Sequence, residues 1–162
     1  MARAYVSIGS NINRESNIRA GVDALHSRYD PLVISRVFEG ASVGFQGENF
    51  YNLVVGFDTD EPAQIVARTL HGIEQARGRK RSTLRFSPRS LDLDLLLYDD
   101  LVIDQLGLQV PRDDILDYAF VLQPLAEIAP HLRHPVLGKC YADLWAAFDP
   151  SSKCLWPIDL KL

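Results

Sequence analysis

Two aspartates, Asp92 and Asp94, stand two residues apart in Leu91-Asp92-Leu93-Asp94-Leu95, directly after a run of cations. Arg77, Arg79, Lys80, Arg81, Arg85 and Arg89 are six of the chain's seventeen basic residues, in a stretch that contains no acid. On a strand, residues at i and i+2 project from one face, so the two carboxylates converge while the leucines point to the other side. Like charges that close need a cation, and hard oxygen donors with room for water and phosphate suit Mg²⁺. Arginine's planar fork matches phosphate oxygens, and several forks on one loop grip a polyphosphate better than a single anion. The spacing therefore points to Mg²⁺ held against a polyphosphate. It also leaves two plainer readings open. The aspartates can pair with arginines on a solvated sheet face, or the arginines can form a general nucleic-acid patch, although Phe86 alone interleaves the cluster with an aromatic ring.

The elements that must position these residues follow from hydrophobic period. Ala4 to Ile8 reads as a strand ending at the turn Gly9-Ser10-Asn11, and Ile18, Val22 and Leu25 recur at helical spacing. Leu32 to Phe38 and Asn52 to Thr59 are rich in β-branched and aromatic residues. The stretch from Glu39 to Asn49 between them is longer than a tight hairpin needs, which makes it a candidate substrate loop. Asp60 is placed as an N-cap, with Glu61 and Pro62 in the first turn of a helix. Ile65, Val66, Leu70 and Ile73 form that helix's apolar face, and Gly78 is its expected stop. Leu91 to Tyr98 is a strand, Asp99-Asp100 a turn, and Leu101 to Ile103 with Leu108 to Val110 a small hairpin. Phe120 to Ile128 and Tyr141 to Phe148 are helical, with Pro130 and Pro135 between them. The order strand, helix, strand, strand, helix, strand is a split βαβ arrangement: an α+β sandwich of four antiparallel strands carrying two helices on one face, with a C-terminal extension.

Composition narrows the classes of function. The chain has 162 residues, 47% of them apolar, and contains no repeat or linker-like tract, so residues 1–162 are expected to form a single domain around one core. A net charge of −4 argues against wholesale nucleic-acid binding, so a basic site must be local. No stretch has the length of a signal h-region or a membrane span, and a cytoplasmic protein is expected. Cys140 and Cys154 lack CxxC spacing and are expected to be reduced and structural. His131 and His134 flank a proline-bounded turn with no carboxylate cluster beside them and are given no metal role.

The segment Arg85-Phe86-Ser87-Pro88-Arg89-Ser90-Leu91-Asp92-Leu93-Asp94-Leu95-Leu96 resembles the signature of the hydroxymethyldihydropterin pyrophosphokinases, a family of folate biosynthesis. Ala4-Tyr5-Val6-Ser7-Ile8-Gly9-Ser10-Asn11 is similar to that family's first strand and turn, Phe50-Tyr51-Asn52 to its pterin-contacting segment, Glu74 to Gly78 to the end of its second helix, and Phe120-Val121-Leu122-Gln123-Pro124-Leu125 to a later apolar block. The resemblance implies a ferredoxin-like fold and transfer of the β,γ-diphosphate of ATP to the hydroxymethyl oxygen of 6-hydroxymethyl-7,8-dihydropterin, releasing AMP. It implies that Asp92 and Asp94 hold two Mg²⁺ ions and that Arg79 and Arg89 act with them in catalysis. It implies nucleotide contacts from His71, Glu74, Arg79, Arg81, Arg85, Arg89, Leu95 and Arg112. The pterin site would be Val43, Phe50, Asn52, Phe86 and Phe120, with Phe50 and Phe120 sandwiching the ring and Asn52 bonding its amide edge. The expected partners are ATP and the pterin, with no nucleic acid and no membrane, and the expected state is a monomer.

The chain also departs from that pattern. Arg112 stands where the family usually has His, and Tyr118 where it has Arg; Asp113, Asp114 and Asp117 add negative charge nearby. Gly40-Ala41 replaces a common Thr-Pro, Ser87 a Gly, and Phe86 an aromatic that is often Trp. These departures leave an alternative, a divergent pterin-binding paralogue with weak or no ATP-dependent activity. A ferredoxin-like RNA-binding module is a third reading that rests on the basic loop alone.

Overall fold

The computed structural model describes residues 1–41, 48–77 and 90–162. Its elements are β1 (Ala2–Ser10), α1 (Arg14–Tyr29), β2 (Val33–Ile34), β3 (Val37–Gly40), β4 (Phe50–Thr59), α2 (Ala63–Ala76), β5 (Asp92–Tyr98), β6 (Ile103–Gln105), β7 (Leu108–Val110), α3 (Asp114–Asp117), α4 (Ala119–Ile128), α5 (Tyr141–Ala147), a 3₁₀ turn (Pro150–Ser152) and β8 (Leu155–Ile158). The main sheet runs β5-β1-β4-β3-β8, with β2 also pairing β4, and its strand pairs are antiparallel. The order β5-β1-β4-β3 with α1 and α2 as crossovers is the expected ferredoxin-like arrangement.

Strand alternation gives the sheet two apolar faces. Ala4, Val6 and Ile8 of β1, Leu53, Val55 and Phe57 of β4, and Leu93 and Leu95 of β5 pack against Ile18, Val22 and Leu25 of α1 and Val66 and Leu70 of α2. Tyr5, Val54 and Leu97 face the other way, where α4 and α5 cover them through Val121, Leu122, Leu125 and Tyr141. Each fully buried aliphatic side chain of this kind stabilises the fold by about 1.5–3 kcal/mol.

Several sequence expectations are corrected. The first strand extends through Gly9 and Ser10. The strand expected over residues 32–38 is broken: Ser35 Oγ accepts the Val54 N–H at 2.9 Å, taking the place of a ladder carbonyl between β2 and β3. Asp60 is not the N-cap of α2. That helix begins after Pro62, whose missing N–H costs nothing there, while Thr59 Oγ1 accepts the Glu61 N–H at 3.0 Å and Asp60 lies 3.7 Å from the N-terminal amine. The small hairpin pairs Ile103 with Val110 and Gln105 with Leu108, two residues later than expected on its first strand. The reason is Gly107, whose φ of +82° provides the left-handed turn position. The added strand β8 was not foreseen, because Pro157 within it argues against a strand except at an edge, and β8 is the edge.

Candidate active site

β5 lies at the opposite edge of the sheet and is arranged as the alternation requires. Asp92 pairs with Gly9 and Asp94 with Ser7 of β1, while Leu93 and Leu95 are buried beneath α1 and α2. Both carboxylates therefore project from the face opposite those helices. The register slips between Tyr5 and Val6, so that Leu96 is an extra residue on β5. This bulge explains three consecutive buried leucines, Leu95, Leu96 and Leu97, divided between the two cores.

Glu74 ties α2 to the strand between the two aspartates. Its side chain is buried, and Oε2 accepts the Leu93 N–H at 2.8 Å, so this backbone donor on the edge strand is satisfied internally. His71, one turn earlier, places Nδ1 3.4 Å from Glu74 Oε1. Beyond β5, between α2 and the β6–β7 hairpin, opens a cleft of about 630 Å³. Of the residues expected to meet nucleotide, His71, Glu74, Leu95 and Arg112 all line it, and so does Asp94. Gln64, Arg68 and Gln109 line it too, and sequence reasoning missed them. A signal existed: Gln64, Arg68 and His71 follow helical spacing on the polar side of α2.

Arg112 closes one side of the cleft. Its backbone N–H donates to the carbonyl of the bulged Leu96 at 3.0 Å. Nε donates to Asp114 Oδ2 at 3.1 Å, and Nη2 lies 3.6 Å from Asp94 Oδ1. Burial works against the guanidinium's charge, but Asp94, Asp114 and Asp92 outweigh it and hold its pKa above the ordinary arginine value. Sequence places Asp113, Asp114 and Asp117 together as repulsive; the structure gives one of them, Asp114, the role of anchoring Arg112.

Of the residues expected to hold the pterin, the described ones, Phe50, Asn52 and Phe120, lie on the same face of the sheet. Asn52 pairs with Gly9 on one side and Phe38 on the other, so Asp92, Gly9, Asn52 and Phe38 form one row across four strands. Gly9 is needed there: a Cβ would lie 2.7 Å from Asn52 Oδ1. Phe50 pairs with Gly40 at the end of β4. Phe120, near the start of α4, stacks on Tyr118 with centroids 5.0 Å apart and planes 21° from parallel. Tyr118 thus contributes a ring where the family's Arg would bring charge. Val43, Arg79, Arg81, Arg85, Phe86 and Arg89, and with them most of the segment from Arg77 to Arg89, lie outside the described residues.

The donor set fits Mg²⁺. Asp92 and Asp94 share one face of β5, and two carboxylates suit an ion that takes one or two and completes its shell with phosphate and water; among the described residues no group of three or more His, Cys, Asp or Glu could hold a metal ion.

An α+β sheet whose edge strand carries paired acids beside a polar cleft has the form of an enzyme's substrate site. The model of the 7,8-dihydro-6-hydroxymethylpterin-pyrophosphokinase family matches residues 5–130, and the chain belongs to that family. It is 36% identical over 149 residues to the 2-amino-4-hydroxy-6-hydroxymethyldihydropteridine pyrophosphokinase of Pseudomonas aeruginosa, covering 90% of this chain and 91% of the relative. The enzyme of the same name from Aquifex aeolicus is 34% identical over 141 residues, covering 86% and 88%, and that of Bacillus subtilis 37% over 135 residues, covering 80% of each. Among solved structures, an HPPK-DHPS crystallised in complex with substrates aligns with a TM-score of 0.72 at 11% identity, over 93% of this chain and 44% of that one. The wild-type Plasmodium falciparum HPPK-DHPS with STZ-DHP gives 0.68 at 13%, over 91% and 43%. The chain thus spans less than half of those longer chains, and they establish its fold.

Proposed function

We propose that this protein transfers the β,γ-diphosphate of ATP to the hydroxymethyl group of 6-hydroxymethyl-7,8-dihydropterin, releasing AMP. The observation that carries the reading is that Asp92 and Asp94 share one face of β5, with Asp94 lining a cleft beside His71, Glu74, Leu95 and Arg112 and Asp92 in one row with Asn52. Identities of 34–37% to enzymes of that name, over most of both chains, favour catalysis over a paralogue that only binds pterin.

In this reading Asp92 and Asp94 hold two Mg²⁺ ions, which when bound withdraw charge from the phosphates. ATP occupies the α2 side of the cleft, with Arg112 and the loop arginines Arg79, Arg81, Arg85 and Arg89 on its phosphates. Asn52 orients the pterin amide while Phe50, Phe120, Phe86 and Val43 enclose the ring. Phe120 enters already backed by Tyr118, which limits the ordering needed on binding. Placing the hydroxymethyl oxygen in line with the β-phosphorus, with water excluded, supplies most of the rate. The reading includes a monomer working in the cytoplasm.

Incubation with ATP, Mg²⁺ and the pterin tests it by product analysis. AMP should form only when the pterin is present, and Asp92→Asn or Asp94→Asn should lower turnover by at least about a thousandfold with the circular dichroism spectrum unchanged. Absence of pterin-dependent AMP from the unaltered protein would refute the activity.

A further inference from the structure

The carboxylate assigned to metal, Asp94, is also the ion-pair partner of Arg112. An Mg²⁺ ion held by Asp94 would bind a carboxylate oxygen directly, and Arg112 Nη2 lies 3.6 Å from Oδ1 of that same carboxylate. Ion and guanidinium would then be near neighbours of like charge, and each opposes the other. The backbone of Arg112 does not give way, because its N–H is bonded to Leu96 and its carbonyl accepts the Ile115 N–H at 3.2 Å. The side chain retains one movement, a swing about its Nε bond to Asp114. On the cleft side, the phosphates of a nucleotide offer the fork a better partner than one carboxylate at ion-pair distance.

We propose that Arg112 is a resident counter-cation of Asp94 that makes metal binding contingent on nucleotide: it occupies the carboxylate until a polyphosphate in the cleft draws it off, with Asp114 as the pivot. This rests on the metal and nucleotide assignment made above and goes beyond it, to the order in which the site fills. The device belongs to this chain's own sequence, since a His at position 112, neutral above its usual pKa, would exert no such fixed repulsion. Arg112 is accordingly a positioning residue whose effect is read on metal affinity.

Mn²⁺ binding, followed by electron paramagnetic resonance with and without the α,β-methylene analogue of ATP, tests it without turnover. In the unaltered protein Mn²⁺ alone binds weakly and the analogue tightens it strongly. Arg112→Gln, and Arg112→His at about pH 8, are expected to bind Mn²⁺ alone about tenfold more tightly and to gain less from the analogue. If both fold and bind Mn²⁺ alone no more tightly than the unaltered protein, while Asp94→Asn loses it, the metal site stands and the contingency is refuted. If Asp94→Asn binds Mn²⁺ as the unaltered protein does, the metal assignment itself fails, and the proposal with it.

Discussion

Glycine 9 shows how much one missing side chain decides. It lies between Asp92 and Asn52 in the row that crosses the sheet, and the Asn52 amide occupies the space its Cβ would need. Gly9→Ala is expected to leave the fold intact, because Asn52 can turn away, but to weaken pterin binding about tenfold by calorimetry through the lost hydrogen bond. Unchanged affinity would remove Asn52 from the pterin site. At this scale the sequence was informative where period alone sufficed: alternation in Leu-Asp-Leu-Asp-Leu puts both acids on one face, and they are there. It was silent about Glu74 holding the Leu93 N–H, 19 residues away, and about Asp114 anchoring Arg112. The first contact exists only after α2 has packed against β5, and the second, though only two residues apart, depends on the turn that leads into α3.

The elements were read well where apolar period was long and poorly where a side chain or glycine replaced a regular bond. Both crossover helices and strands β1, β4 and β5 follow the pattern, while Ser35 breaks the strand expected over residues 32–38 and Gly107 and the Leu96 bulge alter register in ways that no period shows. The turn joining α4 to α5 makes a testable case. His134 is buried, and its Nδ1 accepts the N–H groups of Val136 and Leu137, each at 3.2 Å. Burial pushes its pKa below the ordinary 6.5, so the folded state keeps the ring neutral while the unfolded chain takes up a proton first as pH falls. Its contribution is therefore complete above about pH 6.5 and is lost as pH falls through the lower, folded value. Urea unfolding should show His134→Ala less stable at about pH 7.5 by roughly 1 kcal/mol, with a smaller loss of stability on acidification than the unaltered protein. Equal acid sensitivity in the two would contradict this.

Across the whole molecule, one sheet separates two cores, and β1, β4 and β5 contribute side chains to both. Neither core can be dismantled without exposing the strands of the other, so residues 1–162 should unfold in one transition. Trp145 and Trp156 lie in the C-terminal elements α5 and β8, whereas circular dichroism senses every element, so coincident denaturation curves from fluorescence and dichroism are expected. Two separated transitions would indicate an independent C-terminal unit. The same sheet brings the candidate halves of the reaction together, with acids at its edge, an amide two strands in and the nucleotide cleft alongside. What passes between those halves is the central claim, and labelled ATP measures it most directly. With ³²P at the γ position, the label should leave with the pterin while AMP remains unlabelled; with ³²P at the α position, it should stay in AMP. Label appearing on the pterin alongside ADP, or released as inorganic phosphate, would contradict the account.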